Sequence, residues 1–133
     1  DFLNEALVVD KWFGMQATAP HADVAAVREL MKHPAFTLKN PNRARSLIFS
    51  FANANPAQFH AADGSAYAFW AELVIQLDAI NPQVAARLAR SMDRWRRYTP
   101  ALQEKMKQAI EKVAARDKLS NDVQEVVSKA LAN

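Results

Sequence analysis

At 133 residues with 50% hydrophobic side chains, the chain is long enough for one ordinary domain with a core. It contains only two glycines, and this scarcity favours helices over tight β-hairpins. The formal charge of +3 is much smaller than that of a dedicated nucleic-acid-binding domain, and the absence of cysteine excludes a disulfide framework and thiolate metal sites. No run approaches the ~20 apolar residues that span a membrane, so we expect no membrane partner.

Helical periodicity recurs along the chain and predicts seven main helices, near residues 1–16, 22–32, 41–54, 65–79, 82–97, 100–115 and 120–132. Three starts pair a capping side chain with a proline at the first helical position: Asn40-Pro41, Asn81-Pro82 and Thr99-Pro100. Ser65 and Ser120 are expected caps, and Asn55-Pro56 opens a further short turn. Because the sequence begins with Asp1 inside a helical pattern, we expect a piece of a longer chain.

Each predicted helix carries one apolar stripe, and the connections between helices are short. Short connections favour antiparallel neighbours, so the class is all-α, with about seven to eight helices. Successive helix pairs then form either a bundle or a superhelical α-solenoid of the ARM or HEAT kind. No sequence repeat of fixed period supports the solenoid, which is a geometric expectation.

The residues predict neither a metal site nor a catalytic nucleophile within this segment. His21, His33 and His60 lie far apart in sequence, and no His-Glu-x-x-His spacing occurs. No Gly-x-Ser-x-Gly motif is present, and no serine has an evident histidine partner. The loop 58–67, which contains His60, is the longest irregular stretch, and its turn chemistry favours an ordinary connection over a functional loop.

A polar stripe runs along the predicted helix 82–97, with a spacing that places its members on one helical face: Gln83, Arg87, Arg90, Arg94 and Arg97. A solvated face whose arginines pair with nearby carboxylates explains this pattern, and so does a site for an anion, a peptide or RNA. The pattern alone favours the solvated face.

Two arginines follow the predicted helix start at Asn40, where the partial positive charge of the helix disfavours cations. Arg43 shares a face with polar side chains and is expected to face solvent. Arg45 shares a face with Ile48 and Ala52, so we expect it to be partly screened from water and to have an anionic partner. That partner is either a structural carboxylate, such as Glu72 or Asp78 on the next helix, or a functional ligand. The residues alone favour neither of these two possibilities.

Long stretches across the chain carry a family resemblance. They are EALVVDKWFGMQAT, HPAFTLKNPNRARSLIFSFANANPAQFHAADGSAYAFW, NPQVAARLAR, RWRRYTPALQEKMKQAIE and LSNDVQEVVSKALA. Together they resemble the C-terminal end of the bacterial aminopeptidase N, or alanyl aminopeptidase, branch of the M1 zinc metallopeptidases. The resemblance covers essentially the whole sequence.

The resemblance implies that residues 1–133 are part of the C-terminal helical domain of a larger, four-domain M1 aminopeptidase. In this family the zinc ligands, the general-base glutamate and the elements that bind the substrate's free amine lie upstream, in or beside a thermolysin-like catalytic domain. We therefore expect zinc in the parent enzyme but neither metal nor catalytic residue in this segment. The implied partners are the upstream catalytic domain and peptide substrates, in a cytoplasmic, monomeric parent that binds no nucleic acid.

By the same resemblance, the residues that face the family's internal chamber correspond to Arg45 in NPNRARSL and to Gln83 and Arg87 in NPQVAARL. They would hold the distal part of a peptide while the parent removes its N-terminal residue. No role is implied for Arg90, Arg94 or Arg97. The alternative function is a free-standing helical scaffold that binds peptide or RNA through the basic stripe.

Overall fold

The computed structural model describes the backbone of residues 2–132 and the side chains of residues 7–132. Its α-helices are α1 (Phe2–Ala17), α2 (Val24–Met31), α3 (Pro41–Ala44), α4 (Ser50–Ala54), α5 (Pro56–Phe59), α6 (Ser65–Ile80), α7 (Pro82–Ala89), α8 (Pro100–Ala114) and α9 (Asn121–Ala132). No strand occurs in this range, and the all-α prediction is confirmed. None of the helices so described has both the length and the apolar character needed to cross a bilayer.

A π-helical segment, Arg45–Phe49, joins α3 to α4, so residues 41–54 form one continuous helical run. The wide turn is visible in its hydrogen bonding, because the Ser50 amide donates to the carbonyl of Arg45, five residues earlier. Further along, the predicted turn at Asn55-Pro56 is present as α5.

The predicted single helix 82–97 is wrong. α7 ends at Ala89 and is followed by two 3₁₀ turns, Arg90–Met92 and Trp95–Arg97. The segment after α7 is held against α9, since the buried Trp95 indole donates a 3.0 Å hydrogen bond to the carbonyl of Ala130.

The chain divides into two compact units, residues 1–59 and residues 60–133. In the first unit, α1 packs against the π-helical segment and α4. Its core holds large side chains that are almost fully buried, namely Phe13, Val27, Leu47, Ile48, Phe51 and Phe59. The Phe13 ring also makes edge contacts with the rings of His33 and Phe36, both at 5.6 Å between centroids.

The second unit is built on α6, which packs against α7 and α8, while α9 packs against the same two helices. Its buried side chains include Tyr67, Trp70, Leu77, Leu88, Met92, Met106, Ile110 and Val113. The Trp70 indole donates a 2.9 Å hydrogen bond to the carbonyl of Leu88 and so satisfies its polar atom inside the core.

Most of the predicted helix starts are confirmed by their caps. Asn40, Asn81 and Ser120 each accept backbone N–H bonds from the first turn that follows. Ser65 and Thr99 are not caps: Asp63 accepts from both the amide and the hydroxyl of Ser65, and the Thr99 side chain makes no capping hydrogen bond. The turn before it contains Gly64 at a φ of +72°, where a side chain would be strained.

The buried side chain of Asn55 donates hydrogen bonds to backbone carbonyls at and just after the C-terminal end of α1. It is only 5% exposed, and its side-chain amide donates to the carbonyls of Ala17 at 2.9 Å and Ala19 at 3.2 Å. Buried carbonyls left without a donor are destabilising.

We predict that Asn55→Ala lowers the free energy of unfolding by about 1–3 kcal/mol, because the carbonyl of Ala17 loses its donor and that of Ala19 keeps only the amide of Ala22. Asn53→Ala is the matched control, since Asn53 is exposed two residues earlier, and it should change stability by less than about 0.5 kcal/mol. Urea unfolding of both variants measures the difference. Equal stability of the two variants would contradict this role for Asn55.

Candidate functional site

Arg43 is held at the start of the helical run 41–54 by an ion pair with α1. Its Nε donates to the Asp10 carboxylate at 2.5 Å, and its Nη1 donates to the carbonyl of Ala35. The side chains of Arg43 and Asp10 are only 14% and 17% exposed, so each charge is stabilised mainly by the other instead of by water. Arg43 is therefore a structural residue of the first unit.

Arg45 is exposed, and no hydrogen bond or ion pair joins its guanidinium to the described residues of its own unit. The expectations for the pair are therefore wrong: Arg43 is screened and paired, whereas Arg45 faces water. Pairing of Arg45 with Glu72 or Asp78 would connect the two units and stays a prediction. Within the second unit, the Asp78 carboxylate accepts from the amide and hydroxyl of Ser120.

Helix geometry explains why the pattern could not distinguish the two arginines. The predicted apolar stripe is confirmed, with Ala44, Leu47, Ile48, Phe51 and Ala52 buried. Arg43 and Arg45 lie about 100° on either side of Ala44, on opposite flanks of that stripe. Which flank is covered is decided by α1 and by the carbonyl of Ala35, and neither is visible in the helix itself.

Gln83 and Arg87 lie four residues apart on α7, and both are exposed. The helix starts at the Asn81 cap and Pro82, which places Arg87 in its last turn, where the helix dipole favours a cation. The neighbouring positions Ala85, Ala86 and Leu88 are buried and fix the rotation of the helix. The structure therefore brings Gln83 and Arg87 to one accessible face, while Arg45 belongs to the other unit.

The longer basic stripe does not continue as one helical face beyond Arg90. Arg90 lies in the first 3₁₀ turn, and Arg94 has left helical geometry with φ and ψ of −103° and 27°. Both line a cavity of about 290 Å³ together with the carboxylates of Asp93 and Glu125, and Glu125 pairs with Lys129 at 3.1 Å. The charges around these arginines are thus mixed.

Among the described side chains, no group of three or more histidine and carboxylate residues is placed to hold a metal ion. Two histidines that are distant in sequence, His21 and His33, do line the same cavity of about 400 Å³ in the first unit. His33 accepts from the amide of Ala35 through Nδ1 at 3.0 Å, and its ring packs on Phe13. It is thereby held by structural contacts.

One cluster in the second unit escapes sequence reasoning, because its members are separated along the chain. The His60 ring stacks on Tyr98 with 4.4 Å between centroids, and its Nδ1 lies 2.7 Å from the Tyr67 hydroxyl. Burial, with a smaller contribution from Tyr98, raises the pKa of Tyr67 to about 12, so its phenol stays protonated and can donate. Burial also lowers the pKa of His60, which keeps the ring neutral.

The described helices, their short connections and their apolar stripes define an all-α repeat domain. The family model described as "Domain of unknown function (DUF3458_C) ARM repeats" matches residues 1–132, and the chain belongs to this family. ARM repeats are α-solenoid repeats. The predicted fold class is therefore confirmed.

The curated relatives are aminopeptidases. The chain is 51% identical over 130 residues to aminopeptidase N of Escherichia coli (strain K12), covering 97% of this chain and 15% of that protein. It is 46% identical over 129 residues to aminopeptidase N of Caulobacter vibrioides, covering 96% and 15%, and the Haemophilus influenzae enzyme is 45% identical with the same coverage.

A solved aminopeptidase structure has the same fold over nearly the whole chain. The crystal structure of Legionella pneumophila aminopeptidase A in complex with aspartic acid superposes with a TM-score of 0.89 and 32% identity, covering 98% of this chain and 15% of that chain. This chain thus matches the C-terminal helical domain of M1 aminopeptidases, which are hydrolases, and the predicted resemblance is confirmed. It spans about 15% of the length of these relatives.

Replacing Arg43 by Ala should lower the free energy of unfolding by about 2–3 kcal/mol, slightly less than for a fully buried pair, because the Asp10 carboxylate would remain nearly dry without a cation. Arg45→Ala is the matched control from the same helical run, and an exposed substitution there should cost less than about 0.5 kcal/mol. Chemical denaturation of the two variants gives the comparison. A larger loss for Arg45→Ala would show that the two roles are reversed.

The lowered pKa of His60 predicts a pH dependence of stability. The unfolded histidine has the ordinary value of 6.5 and binds a proton more readily than the folded one. The contribution of the neutral His60 ring to the free energy of unfolding is therefore fully present above pH 6.5 and is lost as the pH falls through the pKa of the folded protein. His60→Gln should flatten the dependence of unfolding free energy between about pH 7.5 and 5.5, which urea unfolding at a series of pH values measures. Identical slopes for wild type and His60→Gln would refute this.

Proposed function

We propose that this chain is the C-terminal helical part of a zinc-dependent M1 aminopeptidase that releases N-terminal amino acids from peptides. The observation that carries the proposal is the 51% identity to Escherichia coli aminopeptidase N across 97% of the chain. Identity at this level over the whole segment supports the same place in the same kind of enzyme. Zinc and the catalytic groups would be held upstream, where zinc polarises the scissile carbonyl and activates a water molecule.

The part assigned to this segment is to close and line the chamber that encloses the peptide. Alone, it should hydrolyse no aminoacyl substrate, since the reacting atoms would be bound by the upstream catalytic domain. A closed chamber restricts entry to unstructured peptides. A cytoplasmic location, a monomeric parent and the absence of nucleic-acid binding belong to the same proposal and rest on the resemblance.

Arg45 is the first proposed peptide contact. Its exposed guanidinium and the lack of a partner among the described residues of its unit support a role toward a ligand. It also begins a π-helical segment, a feature that is frequent at functional sites. A guanidinium in that position can donate two parallel hydrogen bonds to a substrate carboxylate or meet peptide carbonyls.

Gln83 and Arg87 are the second proposed contact. They share an exposed face of α7, so an amide and a guanidinium are available about one helical turn apart. The amide can both donate to and accept from a peptide backbone, whereas Arg87 donates only. These residues would position the distal part of the substrate and would not take part in bond cleavage.

The alternative, a free-standing scaffold that binds RNA or peptide through the basic stripe, has lost its geometric basis. Arg94 has left the helical geometry of α7, and the carboxylates of Asp93 and Glu125 line the same cavity as Arg90 and Arg94. The mixed charges there are unsuited to a phosphate backbone, whose binding depends on clustered cations. The aminopeptidase proposal therefore stands without a second candidate.

In the full-length enzyme, Arg45→Ala and Arg87→Ala should each reduce kcat/KM for a tetrapeptide by roughly 10-fold to 150-fold at most. This range corresponds to the loss of one charged hydrogen bond, which contributes about 1.5–3 kcal/mol. An aminoacyl amide does not reach the distal residues and should be affected much less. Lysine at either position should restore only part of the loss, because it keeps the charge without the planar fork.

Arg90→Ala is the matched control for this experiment, since Arg90 is exposed three residues after Arg87 and has no assigned role. Its kinetics on both substrates should be unchanged. Equal losses on the amide and the tetrapeptide for Arg45→Ala or Arg87→Ala, together with a lower melting temperature, would assign a structural role to these arginines and refute the positioning role.

A further inference from the structure

The first helix exposes large apolar side chains that its own unit does not cover. Leu7, Val8 and Met15 are 63%, 66% and 62% exposed, and Trp12 is 39% exposed. Among the described residues, these four make up most of the exposed large hydrophobic side chains, and all lie on α1. Single exposed apolar residues are ordinary on a protein surface, whereas a contiguous patch indicates an interaction site.

Helix geometry places the four side chains together. At about 100° per residue, Leu7, Val8, Trp12 and Met15 span an arc of about 140° along roughly 12 Å of helix axis. The other side of α1 carries Phe13 and Ala17, which are fully buried in the first unit. A helix that is apolar on two opposite sides is typical of one covered on both.

A groove adjoins this apolar face of α1. The Trp12 ring lies 5.4 Å from the His33 ring, and His33 lines the cavity of about 400 Å³ beside α1 and α2. The rest of the lining mixes small and apolar side chains with polar ones: Gln16, His21, Ala22, Ala26, Glu29, Leu30 and Lys32. The apolar face and the groove therefore form one continuous surface of the first unit.

We propose that this surface seats a helix of the repeat that precedes residue 1 in the full-length polypeptide. ARM repeats bury their apolar faces by stacking on their neighbours, so an internal repeat needs a partner on each side. The chain matches the C-terminal helical domain of relatives and spans about 15% of their length, which leaves a long preceding segment to supply this partner. The inference rests on the proposed function, because it requires the same full-length parent.

The chemistry of the surface specifies the partner. A helix of two to three turns with apolar side chains at i, i+3, i+4 and i+7 spacing can cover the arc from Leu7 to Met15. Lys11 is exposed within that arc, between Leu7 and Met15, so the facing helix should place an acidic or polar side chain opposite it. The partner is therefore an amphipathic helix and not a charged segment.

Cysteine reporters test the proposal in the full-length enzyme, because this segment contains no cysteine of its own. Met15→Cys and Val8→Cys report on the proposed seat, and Ser128→Cys on the exposed side of α9 is the matched control. Maleimide alkylation is followed at each site by peptide mass mapping, in the native enzyme and in urea. Native alkylation of the two seat cysteines should be at least roughly tenfold slower than at the control, since a covered site reacts only on local opening.

The occupant is identified with a photoactivated crosslinker attached to the cysteine at position 15. Crosslinks to helical residues shortly before residue 1 support the proposal. Crosslinks to the catalytic domain, or protection that disappears on dilution because a second copy is the occupant, would overturn it, and so would native alkylation as fast as at the control. If the enzyme is an active zinc aminopeptidase but the seat is unprotected, only this inference fails; if it is no aminopeptidase, the proposed function fails as well.

Discussion

The ion pair between Asp10 and Arg43 joins α1 to the start of the helical run 41–54, and the arrangement of the first unit depends on it. Both side chains are nearly dry, so neither charge is stable without the other. The pair fixes the rotation of the helical run about its axis. That rotation puts the apolar stripe against α1 and leaves Arg45 on the opposite, exposed flank. A structural charge thereby determines the direction in which the neighbouring, exposed guanidinium of Arg45 points.

The second unit has a comparable constraint at the end of α9. The Trp95 indole and the Arg96 guanidinium both donate to the carbonyl of Ala130, and Arg96 also donates to the carbonyl of Leu131. These bonds satisfy carbonyls that have no partner within the helix. They also tie the 3₁₀ turn Trp95–Arg97 to the end of α9. The exposed face with Gln83 and Arg87 lies on α7, before this turn.

Sequence reasoning located the helices well because their signals are local. Capping asparagines, prolines at the first position and apolar stripes all act within a few residues, and Asn40 and Asn81 cap the helices that they were expected to cap. Where a bond from another element decides the outcome, local signals fail. The covering of Arg43 depends on Asp10, 33 residues earlier, and the break after Ala89 has no signal in the periodicity, which places Trp95 on the same face as Leu88.

The candidate site likewise contains residues that local sequence signals predict and residues that depend on contacts from other elements. Gln83 and Arg87 follow from periodicity and from the family resemblance, and both are accessible on α7. The exposure of Arg45 could not be derived, because it and Arg43 are equivalent about the stripe. The cluster of His60, Tyr67 and Tyr98 carries no sequence signal, since its members come together only through the packing of the second unit.

The π-helical segment has a consequence for which insertions and deletions the first unit can accept. Its wide turn holds one residue more than an α-helical turn, as the bond from Ser50 to Arg45 shows. Deleting a single residue within 45–49 would let the backbone close into an ordinary α-helix without an unpaired group. Because the deleted residue is the extra one, α3 and α4 would stay in phase and Phe51 would still face the core, whereas a deletion within the regular helix α6 would rotate everything after it by about 100°. The segment is therefore the place in the first unit where the helical run can lose one residue without changing the faces of its flanking helices.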